Sequence, residues 1–209
     1  MRIAKEGYPI IFSVAVLSVG MLAVGWKPIG LVLLLLTLAM VVFFRDPERT
    51  PPAGEGLIVS PADGKVVSIA DIKSESTFPD AAIRISIFLS PLDVHINRTP
   101  VDGKIEEVKY SPGKFLAAYR DDASTRNEQN ALRIADSEGR KLGVVQIAGV
   151  VARRIVCRVK PGQDLNRGQR FGLIMFGSRT DTYLPSGCRI EVHEGERVTG
   201  GETILARFV

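Results

Sequence analysis

The sequence predicts an all-β-rich, sandwich-like domain with an internal pseudo-repeat, preceded by a transmembrane helical hairpin. Three observations carry this prediction. Residues 10–44 are almost wholly apolar, with Lys27 as the one charge. From residue 57 onward, short β-type runs alternate with turn residues. Within that second part, two sequence patterns each occur twice.

The N-terminal block is taken first. Arg2 and Lys5 precede apolar residues 10–25; Trp26-Lys27-Pro28-Ile29-Gly30 reads as a turn, and residues 31–44 are apolar again. A cleaved signal peptide does not fit, because the apolar block is too long and runs past any small-residue cleavage site. A buried soluble helix does not fit either, since residues 31–44 have no polar face. A bilayer core asks for roughly 20 apolar residues in a helix. Each half falls slightly short, and the whole block is too long for one straight span. A tight hairpin is therefore expected over residues 1–45, with one tilted span as the alternative. Basic residues flank both ends (Arg2 and Lys5 before, Arg45 and Arg49 after). That places both flanks on the cytoplasmic side of the cell (inner) membrane.

Residues 46–56 hold Pro47, Pro51, Pro52, Gly54 and Gly56, and read as a linker that helix cannot cross. The remaining residues, 57–209, form the main domain. Strand composition marks 57–59, 66–69, 83–89 and 144–147. Residues 115–131 are the place expected for a loop with some helix. The polar run 119–130 inside it suits an exposed loop and the lining of a site equally.

Pro61-Ala-Asp-Gly-Lys65 is echoed by Pro100-Val-Asp-Gly-Lys104. Val159-Lys-Pro-Gly-Gln-Asp-Leu-Asn-Arg-Gly168 is echoed by Val192-His-Glu-Gly-Glu-Arg-Val-Thr-Gly-Gly201, so that Gly162, Leu165 and Gly168 match Gly195, Val198 and Gly201. Glycines at fixed offsets supply turns, and the apolar residue between them is a core anchor. This pattern resembles the half-motif of biotinyl- and lipoyl-carrier folds, which are flattened barrel-sandwich structures. A membrane-tethered carrier-like adapter without catalysis is therefore a competing reading. Such a domain presents a lysine at the hairpin tip between its halves, and residues 171–209 contain none.

The tip carries Phe176-Gly177-Ser178-Arg179 instead. Alone, a Gly-Ser pair is a common bend. Of the two histidines, His193 sits in a repeat turn and reads as a solvated residue. His95 follows the strand 83–89, inside Ser90-Pro-Leu-Asp-Val-His-Ile-Asn-Arg-Thr-Pro100, a polar cluster of Asp93, Asn97 and Arg98 bounded by two prolines. Asp63 and Asp102 occupy matching Asp-Gly turns, where aspartate is common for conformational reasons. No G-x-S-x-G elbow supports a serine hydrolase, a third reading. No metal-binding spacing is present. Cys157 and Cys188 form neither a metal motif nor a disulfide framework, which fits a reducing compartment. The net charge of +4 fits anionic partners. Basic residues are not interleaved with aromatics, so nucleic acid is not expected.

Three motifs in order then carry a resemblance: Ser60-Pro-Ala-Asp-Gly-Lys65, Ser90-Pro-Leu-Asp-Val-His-Ile-Asn-Arg-Thr-Pro100 and Phe176-Gly-Ser-Arg-Thr-Asp-Thr-Tyr-Leu-Pro185. They resemble the pyruvoyl-dependent phosphatidylserine decarboxylases, in particular their short form. The resemblance covers residues 57–209.

It implies a proenzyme that cuts itself between Gly177 and Ser178. Residues 1–177 become a large chain and 178–209 a small one, a heterodimer, with a dimer of these as the further expectation. Ser178 becomes a pyruvoyl group, which forms a Schiff base with the serine headgroup of a membrane phospholipid. In this reading His95 is the base and acid, Asp63 orients His95, and no metal takes part. The product is phosphatidylethanolamine with carbon dioxide. Two departures matter. Longer members carry a second histidine three residues after the first, where this chain has Arg98; His95 then serves both steps. Arg179 follows the serine where many longer members have Ser or Thr. Arg98 and Arg179 are the candidates for binding the lipid phosphate or substrate carboxylate.

Overall fold

The computed structural model describes residues 2–72, 77–114, 126–149, 154–175 and 178–209. Contacts divide the chain into two compact units, residues 1–48 and 49–209.

In the first unit, β1 (Arg2–Ile3) is followed by α1 (Gly7–Ala23), α2 (Lys27–Phe43) and β2 (Arg45–Asp46). Each helix has 17 residues. They are separated at Val24-Gly25-Trp26, where Gly25 takes φ +86°, and Pro28 sits in the first turn of α2, where it needs no amide partner. The helices meet closely at Gly30. A Cβ there would lie 2.5 Å from Leu22 Cγ, and the Gly30 carbonyl accepts a 2.8 Å bond from Ser18 Oγ. Antiparallel β1 and β2 tie the two ends together.

This hairpin corrects the expectation of a transmembrane hairpin, and of a single tilted span. No helix among the described residues is long and apolar enough to cross a membrane. Seventeen residues rise about 26 Å as α-helix, short of a hydrocarbon core of roughly 30 Å. The two helices and the turn between them match the sequence expectation; their length of 17 residues each, set by the break at residues 24–26, is what falls short of a crossing.

The second unit is β-rich, as expected. Its strands are β3 (Leu57–Val59), β4 (Gly64–Asp71), β5 (Ala81–Leu89), β6 (Ile96–Arg98), β7 (Gly103–Ser111), β8 (Gln129–Ala135), β9 (Lys141–Ile147), β10 (Ile155–Cys157), β11 (Asp164–Leu165), β12 (Arg170–Ile174), β13 (Ser178–Pro185), β14 (Cys188–Ile190), β15 (Arg197–Val198) and β16 (Ile204–Phe208). An eight-stranded sheet runs β11-β7-β8-β9-β13-β5-β4-β15, and two three-stranded sheets run β10-β12-β6 and β14-β16-β3. One core joins them, with Ile58, Ile87, Leu132, Val144, Phe171 and Leu184 fully or almost fully buried. Of the loop expected over residues 115–131, residues 115–125 lie outside the described set, while Gln129, Asn130 and Ala131 begin a strand.

The repeats are a structural pseudo-symmetry. The edge strands β11 and β15 close opposite ends of the large sheet: β11 pairs with β7 through Leu165 and Gly103, and β15 pairs with β4 through Val198 and Gly64. Asp63 Oδ1 accepts the Gly200 amide at 2.8 Å, and Asp102 Oδ1 accepts the Arg167 amide at 2.8 Å. The Gly201 amide donates to the Ser60 carbonyl, and the Gly168 amide to the Thr99 carbonyl. Each Asp-Gly turn is thus locked by one glycine-flanked turn of the other repeat. Gly162, Gly168, Gly195 and Gly201 all take the positive φ that these turns require.

The chain between the two units' boundary and β3 is bound to the second unit. Arg167 donates to the carbonyls of Pro52, Gly54 and Leu57, and Arg49 pairs with Asp63 and Glu202.

Candidate active site

Ser178 is the first residue of β13, and β13 is central. It pairs with β5 on one side, placing Ser178 opposite Leu89, and with β9 on the other. Strand alternation sends Ser178, Thr180 and Thr182 to the core face and Arg179, Asp181 and Tyr183 to the opposite face. All six are buried. The Ser178 hydroxyl has no hydrogen-bond partner among the described residues. A buried hydroxyl without a partner is costly, and such exceptions point to a chemical role. Phe176 and Gly177 lie outside the described residues.

His95 reaches the same end of the fold by a second route. The chain leaves β5 after Leu89, opposite Ser178, and reaches β6 through Asp93 and His95. There the His95 carbonyl accepts the Ile174 amide, and β12 leads from Ile174 back to Ser178 in four residues. Farther along both strands, Asn97 Nδ2 donates to Thr180 Oγ1 at 3.4 Å. His95 and Ser178 each sit two residues before a member of that pair. One side-chain bond thus ties β6 to β13, two residues beyond each of the two candidates.

The His95 ring is buried, and its Nδ1 lies 2.9 Å from the Asp93 carbonyl. A carbonyl only accepts, so Nδ1 holds the proton and Nε2 is the basic nitrogen. Asp93 is itself fixed: Oδ2 accepts the Ser90 amide at 2.8 Å, and Oδ1 pairs with Arg197.

Asp63 sits nearby in the charge cluster with Arg49 and Asp93. Its carboxylate takes the Gly200 amide and the Arg49 guanidinium, at 2.8 and 2.9 Å. Burial raises its pKa above the ordinary carboxylate value, the Gly200 amide and Arg49 pull it down, and the Asp93 charge adds to the rise. The bonds at Asp63 are those of the repeat turn plus Arg49, while the bond at His95 Nδ1 comes from Asp93. Arg98 Nη1 donates to the Gly168 carbonyl at 2.9 Å, and its stem lies against Gly201, between the two repeat turns. Arg179 faces away from Ser178's side of the sheet. There it forms a fully buried pair with Asp181, with Nε to Oδ1 at 2.6 Å and Nη2 to Oδ2 at 3.1 Å, and Nη2 also donates to Ser86 Oγ at 2.7 Å.

The sequence reading named Asp93 and Asn97 only as members of a polar cluster, and it passed over Gln146, Thr180 and Arg197. The alternation Ser178-x-Thr180-x-Thr182, three hydroxyls in one core-facing row, was the available signal. His193, read as a solvated turn residue, is exposed and pairs with Glu196.

The sequence model of the family described as phosphatidylserine decarboxylase matches residues 36–206. Two relatives each bear the name phosphatidylserine decarboxylase proenzyme. One, from Geotalea uraniireducens, is 45% identical over 97% of this chain and 95% of its own length; the other, from Nitrobacter winogradskyi, is 44% identical over 99% of this chain and 84% of its own. The chain belongs to the phosphatidylserine decarboxylase family. As a member of the phosphatidylserine decarboxylase family it is an enzyme, and the relatives' names describe a precursor form. Among the described residues no group of three or more His, Cys, Asp or Glu is placed to hold a metal.

Proposed function

We propose that this chain is a self-processing proenzyme whose Ser178 becomes a pyruvoyl group, and that the mature form converts phosphatidylserine to phosphatidylethanolamine and carbon dioxide at a membrane surface. The observation that carries this reading is the buried Ser178 hydroxyl, which has no partner among the described residues, at the start of central strand β13.

His95 Nε2 is the nitrogen that accepts the Ser178 hydroxyl proton. Oγ then bonds to the Gly177 carbonyl carbon, and the Gly177–Ser178 peptide bond breaks with its nitrogen gaining a proton. Loss of the Ser178 Cα proton breaks the Cβ–Oγ bond and releases Gly177 as a carboxylate. Addition of water and loss of ammonia leave the ketone. The residues fit this group: Ser178 is held opposite Leu89 of β5, β9 flanks its strand from Arg179 onward, and its surroundings exclude solvent. The chemistry such a group supplies is an electron sink for the pair left behind when carbon dioxide departs. In this reading His95 returns a proton to the substrate carbon.

The fold supports two chains that stay together after the cut. Residues 178–209 contribute β13 between β5 and β9, β15 beside β4, and β16 beside β3. Arg197 and Glu202 add ion pairs to Asp93 and Arg49.

Apolar side chains on the outside of the helical hairpin support association with the cytoplasmic face of the cell membrane. Phe12, Val19, Val32 and Leu35 are all about two-thirds exposed, and apolar area of this kind gains free energy when withdrawn from water.

The test is the intact mass of the purified protein under denaturing conditions. Two chains meeting at Gly177/Ser178, the smaller lighter by one ammonia than the same chain beginning with an unmodified serine and refractory to N-terminal sequencing, support the reading. A single uncut chain, in detergent and in phosphatidylserine vesicles alike, overturns it.

A further inference from the structure

Gln146 stands on β9 directly opposite Thr180 and is wholly buried. Its amide is used on both sides. Nε2 donates to Asn97 Oδ1 at 2.9 Å and to the Val156 carbonyl at 3.3 Å, while Oε1 accepts from Asn130 Nδ2 at 3.1 Å. This fixes the polarity of the next amide. Asn97 Oδ1 is the acceptor toward Gln146, so Nδ2 is the group that faces Thr180 Oγ1. The direction of donation is therefore set along the line Asn130, Gln146, Asn97, Thr180. Room for it is made at Gly172: a Cβ there would lie 2.9 Å from Gln146 Nε2 and 2.1 Å from the Val156 oxygen.

A line of buried amides beside an otherwise aliphatic core is not the cheapest way to fill that space, since apolar residues need no partners. What the amides supply is register. The Asn97–Thr180 bond joins β6 to β13, strands in different sheets with no ladder between them. We propose that Gln146 and Asn97 are positioning residues for self-cleavage, acting through the Thr180 hydroxyl to hold the amino end of β13 against that of β6 so that Ser178 meets His95. This inference rests on the self-processing reading above.

The experiment follows conversion of full-length precursor to two chains by intact mass, after cell-free synthesis, with urea denaturation of each variant in parallel. Thr180→Val keeps the shape and removes the hydroxyl. Thr180→Ser restores the hydroxyl. Thr182→Val is the control, on the same face and also buried, with a hydroxyl that has no partner among the described residues. The expected result is conversion slowed at least about tenfold by Thr180→Val, and within about threefold of the unsubstituted protein for Thr180→Ser and Thr182→Val. If Thr180→Val does not fold, Thr180→Ala carries the same expectation with neither γ-methyl group nor hydroxyl. Equal slowing by Thr180→Val and Thr182→Val, or none by either, overturns the relay while leaving self-cleavage intact. An unsubstituted chain that never converts overturns both.

Discussion

Arg197 pairs with Asp93 across 104 residues of chain, and it does so from the segment that follows Ser178. Asp93 also holds His95, because its backbone carbonyl engages the ring at Nδ1. The candidate base in one part of the chain is thus steadied by a guanidinium from beyond the Gly177–Ser178 bond. The Arg197 side chain is 68% exposed, so the pair adds little to stability, on the order of 0–1 kcal/mol. Its value lies in fixing the Asp93 turn.

Replacing Arg197 with Gln is expected to leave the urea midpoint almost unchanged and to slow conversion of the precursor several-fold, with Arg197→Lys recovering most of the rate. Conversion at the unsubstituted rate in Arg197→Gln removes this role.

The Arg179–Asp181 pair behaves differently because it is fully buried. Breaking it from one side leaves a charge in a low-dielectric site, which costs about 3–5 kcal/mol. Asp181→Asn is expected to lower unfolding free energy by that amount in urea denaturation, while joint replacement of Arg179 and Asp181 by Met and Leu costs less than either single change. A single substitution without effect would show that the pair is solvated.

Gly172→Ala tests close packing between β10 and β12. The added Cβ would meet the Val156 carbonyl oxygen at 2.1 Å, and neither backbone can yield without giving up the ladder. A loss of about 1–3 kcal/mol is expected, with slower conversion, because β12 leads directly to the Gly-Ser bond. A thermal midpoint equal to that of the unsubstituted protein would contradict it.

Asp63 gives a pH dependence of defined sign. Burial holds its carboxyl above the ordinary carboxylate range despite Arg49 and Gly200. The native state therefore keeps a proton that the unfolded chain has already released, from about pH 4 upward to the raised value. Folding stability contributed by this group is present below that window and is lost as pH rises through it. Relative to Asp63→Asn, the unsubstituted protein should lose stability with rising pH across that range in urea titrations. A gain would reverse the assignment.

The outer face of the hairpin supplies the last prediction. Phe12→Asp with Leu35→Asp changes two exposed side chains and no packing within the hairpin. Co-sedimentation of the full chain with vesicles of phosphatidylserine and phosphatidylcholine should fall at least about fivefold. Undiminished sedimentation would place the lipid contact elsewhere.

The repeats show how far the sequence reading went. Matching Gly162 with Gly195 and Gly168 with Gly201 identified turns that are real, and Leu165 and Val198 are both core anchors. Hydrophobic periodicity and glycine spacing are local properties, so they survive in the linear string. The hairpin was legible for the same reason, but its span was not. The break falls at Val24-Gly25-Trp26 and each helix has 17 residues, and those end points depend on where the backbone turns rather than on composition. The roles of Asp93, Gln146 and Arg197 were hidden, because each rests on a partner 10 to 104 residues away or on a backbone carbonyl that any residue could provide.

By itself the sequence determined the β-rich class, the pseudo-symmetric turns, the family and the Gly177–Ser178 bond as the place to look. Those follow from residue type and spacing. Only the tertiary structure decided that Asp93 orients the His95 ring, that Arg179 is held by Asp181 on the face away from Ser178, and that Asn97 joins β6 to β13. Each of these depends on which face of a strand a side chain leaves and on which strands lie beside it, and neither is fixed until the sheets have closed around one core.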